Sequence, residues 1–151
     1  MWKQLTRTDD TVTALVLRLA LGIVMFPHGA QKLLGWFGGR GFFGTIELFH
    51  QIGFPTLVAV LVTIGEFFGG LALLVGFLTR VAAGGIGIIM LGAIVLVHWQ
   101  FGFFMNWAGQ PVREGFEYHI LAVGLVIAIM IYGGGKWSVD RQLLLRSQDS
   151  Y

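Results

Sequence analysis

Residues 56–98 read TLVAVLVTIGEFFGGLALLVGFLTRVAAGGIGIIMLGAIVLVH, two apolar runs with Glu66 and Arg80 as their only full charges. A bilayer-crossing helix needs about 20 apolar residues. The stretch therefore holds two spans, Thr56 to Leu78 and Val81 to His98, joined by Thr79-Arg80 as a tight antiparallel hairpin. Working outward, Val12 to about Leu34 forms a span before them and Phe116 to Tyr132 one after them. The reading is an all-α membrane protein, one domain over residues 1–151, built as an antiparallel four-transmembrane-helix bundle with short interfacial helices.

Composition agrees. The chain is 56% hydrophobic and 12% charged, with a mean hydropathy of +0.77, against a charged fraction of about 25% in soluble domains. Its ten Lys and Arg are dispersed, without a basic run, so no nucleic-acid partner is read. Cysteine is absent, which excludes disulfide exchange, thiolate metal ligation and iron–sulfur clusters held by this chain. The first apolar run contains Arg18 and ends in Pro27-His28-Gly29-Ala30-Gln31-Lys32 rather than a cleavage site, so it reads as a retained span.

Lys3, Arg7, Arg80, Lys136, Arg141 and Arg146 fall on one side of the bundle, and Lys32, Arg40 and Arg113 on the other. The positive side is normally cytoplasmic, which predicts cytoplasmic termini. Trp36, Phe37, Trp99, Trp107 and Tyr118 form the outer aromatic belt; Trp2, Tyr132 and Trp137 form the inner one. Thr8-Asp9-Asp10 is the expected cap of the first span, and Pro27 is expected to kink its exit. Gly44–Gly53 reads as a helix on the outer surface and Ser138–Leu144 as a serine-capped helix at the inner interface. Residues 100–115 are expected to cover the outer mouth. The glycines of the spans read as packing surfaces, because helices in lipid associate by close approach; Gly84 and Gly87 are expected to share a face with His98.

Eight ionisable residues sit within or at the ends of the spans: Arg18, His28, Lys32, Glu66, Arg80, His98, Glu117 and His119. Such residues are costly in hydrocarbon and normally face one another or a polar cavity. At about 100° per residue, Arg18, Gly22, Met25, His28, Gly29 and Lys32 share one face of the first span. Arg18 lies roughly 9 Å from the inner end of its span and Glu66 roughly 15 Å from the outer end of its own, which predicts an Arg18–Glu66 pair. At the outer level, His28, Lys32, His98, Glu117 and His119 come from three helix ends. Donors beside a proton acceptor are what a proton-coupled redox ligand needs; histidine and carboxylate are equally what a divalent metal or a haem iron would use.

The run Arg18-Leu19 with Pro27-His28-Gly29-x-Gln31-Lys32-Leu33-x-Gly35-Trp36-Phe37-Gly38-Gly39, then Glu66-x-x-Gly69-Gly70, Gly76-x-Leu78-Thr79-Arg80, His98, Gly102-Phe103-Phe104 and Glu117-Tyr118, resembles the DoxX family of small bacterial membrane proteins. The resemblance implies a four-helix membrane bundle associated with respiratory redox chemistry, as in the small subunit of a quinol oxidase or thiosulfate:quinone oxidoreductase. On this reading His28, His98 and Glu117 bind and deprotonate a quinol head group. Arg18, Lys32, Glu66, His119 and Trp36 complete the ligand-binding set, with quinone as cofactor, haem as the lesser alternative and no metal site. The chain lacks a flavin or dinucleotide fingerprint, so electrons need a soluble or membrane oxidoreductase partner besides the lipid bilayer; self-association into a homo-oligomer stays open. The other reading is a non-catalytic membrane anchor, assembly factor or binder of a small hydrophobic molecule.

Overall fold

The computed structural model describes residues 6–107, 109 and 113–148, the side chains of 147 and 148 excepted. Trp2 and Lys3, placed above at the inner interface, and residues 108 and 110–112 of the expected cover lie outside the described residues. The described chain is helical: α1 (Val12–Leu33), α2 (Gly41–Gln51), α3 (Thr56–Val75), α4 (Thr79–Ala93), α5 (Glu117–Tyr132) and α6 (Val139–Gln148). After α4 the chain makes a π-helical turn, Ile94–His98, and a 3-10 turn, Trp99–Phe101.

Three stretches, Val12–Leu33, Thr56–Val75 and Thr79–Phe101, are long and apolar enough to cross a membrane. The 16 residues of α5 are apolar but shorter, about 24 Å at 1.5 Å per residue. This helix runs between the same two ends of the bundle. Its first residue is tied to Phe103 at the α2 end, and Tyr132 O accepts from Asp9 N–H at the end where both terminal segments lie. Helices α1, α3, α4 and α5 pack antiparallel around Leu21 and Met25, Leu73, Ala83, Ile86 and Met90, and Ala122, Val126 and Ile129.

Helix α1 starts at Thr11, whose hydroxyl accepts from Ala14 N–H at 3.2 Å. Thr11, not Thr8-Asp9-Asp10, is the cap. The hydroxyl of Thr8 instead accepts from Gly135 N–H at 2.6 Å. The helix continues past Pro27 to Leu33.

The α1–α3 contact has a constant antiparallel register set by small residues. A Cβ on Gly22 would lie 3.1 Å from Leu74 N, one on Gly70 2.6 Å from Phe26 N, and one on Gly29 2.3 Å from Phe67 N. At these points the backbones touch, as lipid-embedded helices require for tight association. Continued toward the terminal end, the same register sets Arg18 opposite Leu78, beyond the end of α3 at Val75.

The α3–α4 turn is Gly76–Leu78, earlier than the expected Thr79-Arg80. Gly76 closes α3 in the left-handed region (φ +73°), and a Cβ there would lie 2.5 Å from Ser138 Cβ. Leu78 is also left-handed (φ +46°), a conformation costly for a non-glycine residue. It is held by Asp140 of α6, whose carboxylate accepts from Leu78 N–H and Thr79 N–H at 2.8 Å each. That bond caps α4 from another helix and fixes α6 to the bundle. Ser138 caps α6 as expected, accepting from Arg141 N–H at 3.2 Å.

Candidate functional site

The close approach at Gly29 brings α1 against α3 at the level of Glu66, whose side chain is buried. One turn further along α1, Lys32 extends its ammonium to Glu66 and forms an ion pair with Oε2. The Lys32 carbonyl accepts from Thr45 Oγ1 of α2 at 3.1 Å, which ties the surface helix to this turn. Glu66 therefore pairs with Lys32 and not with the expected Arg18. The physical reason is the α1–α3 register: α1 begins beyond the end of α3, so Arg18 meets the last carbonyls of α3 while Glu66 meets the far end of α1.

Arg18 is 1% exposed and wholly committed to backbone. Its Nε donates to Gly134 O (2.8 Å), Nη1 to Leu73 O (2.7 Å) and Leu74 O (2.6 Å), and Nη2 to Lys136 O (3.4 Å). A cation over the last carbonyls of α3 also suits the negative end of the helix dipole.

His98 reaches the bundle because of the π turn. Trp99 N–H bonds to Ile94 O, five residues back, and such a turn inserts one residue into the helical register. His98 thereby takes the angular position that residue 97 would hold in an uninterrupted helix, on the stripe of the buried Ala83 and Met90. Gly84 and Gly87 of α4 likewise face α5, at Met130 and Val126. The His98 ring lies 4.3 Å, centroid to centroid, from that of His119 on α5. Its Nδ1 lies 2.8 Å from Glu114 O; a carbonyl only accepts, so Nδ1 carries the hydrogen. His119 is buried, and its Nδ1 has no hydrogen-bond partner among the described residues. Tyr118 lies between His119 and His28, with ring centroids 5.4 and 6.4 Å away, and its hydroxyl contacts Met25 Sδ at 3.6 Å.

These groups end a cavity of about 740 Å3. Its polar wall is His28, Lys32, Glu66, His98, His119 and Tyr118. The rest is almost wholly apolar, from α3 and α4, with Phe49, Ile52 and Phe54 beneath α2 and Met105 and Glu114 from the loop before α5.

The family model of DoxX matches residues 13–99. The chain belongs to the DoxX family. It is similar to a Bacillus subtilis protein named "Putative oxidoreductase CatD", 29% identical over 118 residues, 78% of each chain. It is also similar to the uncharacterized membrane protein Rv3486 of Mycobacterium tuberculosis, 32% identical over 155 residues, 97% of this chain and 90% of the relative. The inner membrane protein YqjF of Escherichia coli is 31% identical over 134 residues, 89% of this chain and 94% of the relative. No solved structure matches significantly.

The DoxX match thus includes His28, Lys32, Glu66 and His98, and ends before Tyr118 and His119. Of the residues expected to form the site, these four and His119 line one cavity. Three do not. Arg18 is at the terminal end. Trp36 is half exposed in the 3-10 turn Trp36–Gly38, edge-on to Phe37. The Oε1 of Glu117 accepts from Met105 N–H and Trp107 Nε1–H, each at 2.9 Å, and so holds the loop over the cavity rather than facing into it.

Sequence reasoning passed over Tyr118, counted as belt, and Glu114. The signal for Tyr118 was its place between two ionisable residues at a helix start. Among the described residues no group of three or more His, Asp or Glu is arranged to hold a metal ion. The contact between the His98 and His119 rings leaves no room for a porphyrin between them.

Proposed function

We propose that this DoxX protein is a membrane subunit of a quinone-linked respiratory oxidoreductase, and that its cavity binds the quinone head group. The observation that carries the reading is the convergence of a half-buried ion pair and three imidazoles on one end of an otherwise apolar cavity. Each polar group there is costly in a membrane interior, and hydrogen bonds to a ligand with two oxygens would offset that cost. The lining fits such a molecule: an apolar ring and substituents against α3 and α4, donors at one end.

Lys32 offers ammonium hydrogens to a carbonyl oxygen while Glu66 keeps the charge paired. His98, with its hydrogen on Nδ1, presents Nε2 as acceptor for a quinol hydroxyl proton, and His28 serves the second oxygen. His119 and Tyr118 orient the ring. A bound quinone supplies two-electron redox chemistry; the chain's own residues hold and move the protons. The loop tied down by Glu117 and Glu114 keeps water from the polar end. An oxidoreductase partner must exchange the electrons. The Lys and Arg of the terminal end, Arg7, Arg80, Lys136, Arg141 and Arg146, exceed those of the α2 end, which supports a reading with both termini in the cytoplasm of a bacterium and the cavity toward the outer leaflet. On this reading α5 is the fourth span.

The test is solvent extraction of the purified protein followed by chromatography for quinone. Wild type should retain quinone, and His28→Ala, His98→Ala and Glu66→Gln should retain less at equal folded protein. Absence of quinone from wild type, together with no binding of added quinone, would sink the proposal.

A further inference from the structure

The cavity has a side opening that its polar chemistry does not require. Leu61 of α3 is 60% exposed, and Ile88 of α4 and Leu96 of the π turn are 75% and 62% exposed. These cavity-lining side chains lie at a slot between α3 and α4. On the α3 side of that slot Gly65 meets Ile89 of α4, but the two glycines after Val81, Gly85 and Gly92, behave unlike those of the α1–α3 contact. A Cβ on Gly85 or Gly92 would meet nothing within 4 Å, whereas Gly29 and Gly70 could not carry one. Small residues that touch no neighbouring helix do not serve helix association; here they leave space.

A second groove of about 480 Å3 continues from the first, sharing Gly65 and Gly85 with it. It runs along the α3–α4 seam toward the terminal end between Phe68, Leu71, Ala72, Val75, Phe77 and Val81. Together the two follow the chain from Val97 of the π turn back along α4 to Val81, roughly 24 Å of helix. All residues lining the second groove are apolar or glycine. At the other end of the path lies His119, more than nine-tenths buried and lining the cavity, its Nδ1 without a partner among the described residues.

We propose that the ligand is a membrane-dissolved, long-chain quinone that enters sideways through the α3–α4 slot and lays its isoprenoid chain along this seam. The inference rests on the quinone reading of the cavity and adds the path and the chain length. A water-soluble ligand would need neither the lipid-facing slot nor an apolar groove leading away from the polar end.

The test compares two quinones of the same ring, one with a long isoprenoid chain and one without, binding to the full chain in detergent micelles. Quenching of tryptophan fluorescence is the readout, with concentrations corrected for partition into micelles. Wild type should bind the long-chain form tighter by roughly three- to tenfold, the scale expected of packing contacts made in place of lipid contacts. Ala72→Phe and Val81→Phe fill the second groove without touching the cavity. Val81 already faces outward, so its variant should melt as wild type does even where Ala72→Phe disturbs helix packing. Both should bind the two quinones alike, at the chainless affinity. Equal affinities in wild type, or a chain preference that survives in a folded Val81→Phe protein, overturns the seam as the chain's site. The same outcome is expected if a lipid acyl chain owns the groove. Failure of the chainless quinone to bind wild type overturns the head-group reading instead.

Discussion

At the terminal end of the bundle, the buried guanidinium of Arg18 donates to four backbone carbonyls, and the buried carboxylate of Asp140 accepts from two backbone N–H groups. At the α2 end, the Nδ1 of the buried His119 imidazole has no partner among the described residues, and Lys32 and Glu66 meet on the wall of a 740 Å3 cavity. Both clusters place charge or polarity where hydrocarbon would be cheaper. They differ in what the polar groups address. The terminal cluster satisfies helix ends and chain turns, so its worth is stability. The α2-end cluster leaves bonding capacity facing space, which stability alone would not select.

The largest effect should come from dismantling the terminal cluster. Arg18→Ala strands the buried carbonyls of Gly134, Leu73 and Leu74, each costing about 1–3 kcal/mol unpaired, and thermal unfolding in detergent should register a loss of about 3–5 kcal/mol. Arg18→Lys should recover less than half of it, because a single ammonium cannot span four acceptors in the geometry of a planar fork. Quinone retained per folded molecule should not change. A stable Arg18→Ala protein that has lost its ligand would collapse the division between the two ends.

Next comes the Lys32–Glu66 pair, which should move both readouts. Glu66→Ala leaves an ammonium in an apolar cavity and should cost about 3 kcal/mol, the low end for a broken buried pair because Lys32 is partly exposed. Replacing both, with Lys32→Met and Glu66→Leu together, should cost less than the two single changes summed, with a coupling of about 1–3 kcal/mol. The doubly substituted protein should fold and fail to retain quinone. Additive losses would mean that the two groups act independently.

How far the sequence reached can be read from these same residues. Hydropathy placed α1, α3, α4 and α5 to within a few residues, because apolar length is a property of composition. The surface helix α2 and the serine cap of α6 were visible as local patterns. The Arg18–Glu66 pairing failed because depth was counted from span ends, whereas the relative slide of α1 and α3 is set by contacts at Gly22, Gly29 and Gly70 that no single helix reveals. His98 was chosen as a site residue, but the π turn that carries it was not foreseen, since a one-residue insertion leaves no sequence mark in Ile94-Val95-Leu96-Val97. Gly85 and Gly92, which leave the slot, carried no signal that set them apart from the packing glycines Gly84 and Gly87. A glycine that fits a neighbour and one that leaves a void look identical in sequence.

His119 separates the two ends by sign. In His119→Phe an unpartnered buried nitrogen is exchanged for carbon of similar shape, which should hold stability or raise it by up to about 1 kcal/mol. Ligand retention should fall about tenfold, the loss of one good hydrogen bond to the ligand. Thermal unfolding and quinone extraction on the same preparation give both values. A destabilised His119→Phe protein with unchanged retention would make His119 a structural residue like Arg18.

The smallest effect is expected at Glu117, where the loop and the chemistry can be told apart. Its Oε1 holds Met105 N–H and Trp107 Nε1–H, and Glu117→Gln keeps an oxygen at that position. The two bonds lose only their charge assistance, so the stability cost should be about 0.5 kcal/mol or less, with quinone retention near that of wild type. Glu117→Ala removes the acceptor altogether. Trp107 is largely exposed, and without its bond its fluorescence should become more readily quenched by iodide, with quinone lost more quickly from the less covered cavity. The conservative variant decides the role. If Glu117→Gln depletes quinone as strongly as His98→Ala while Trp107 quenching stays at the wild-type level, the carboxylate takes part in proton transfer and the loop-holding role drawn from its geometry is overturned.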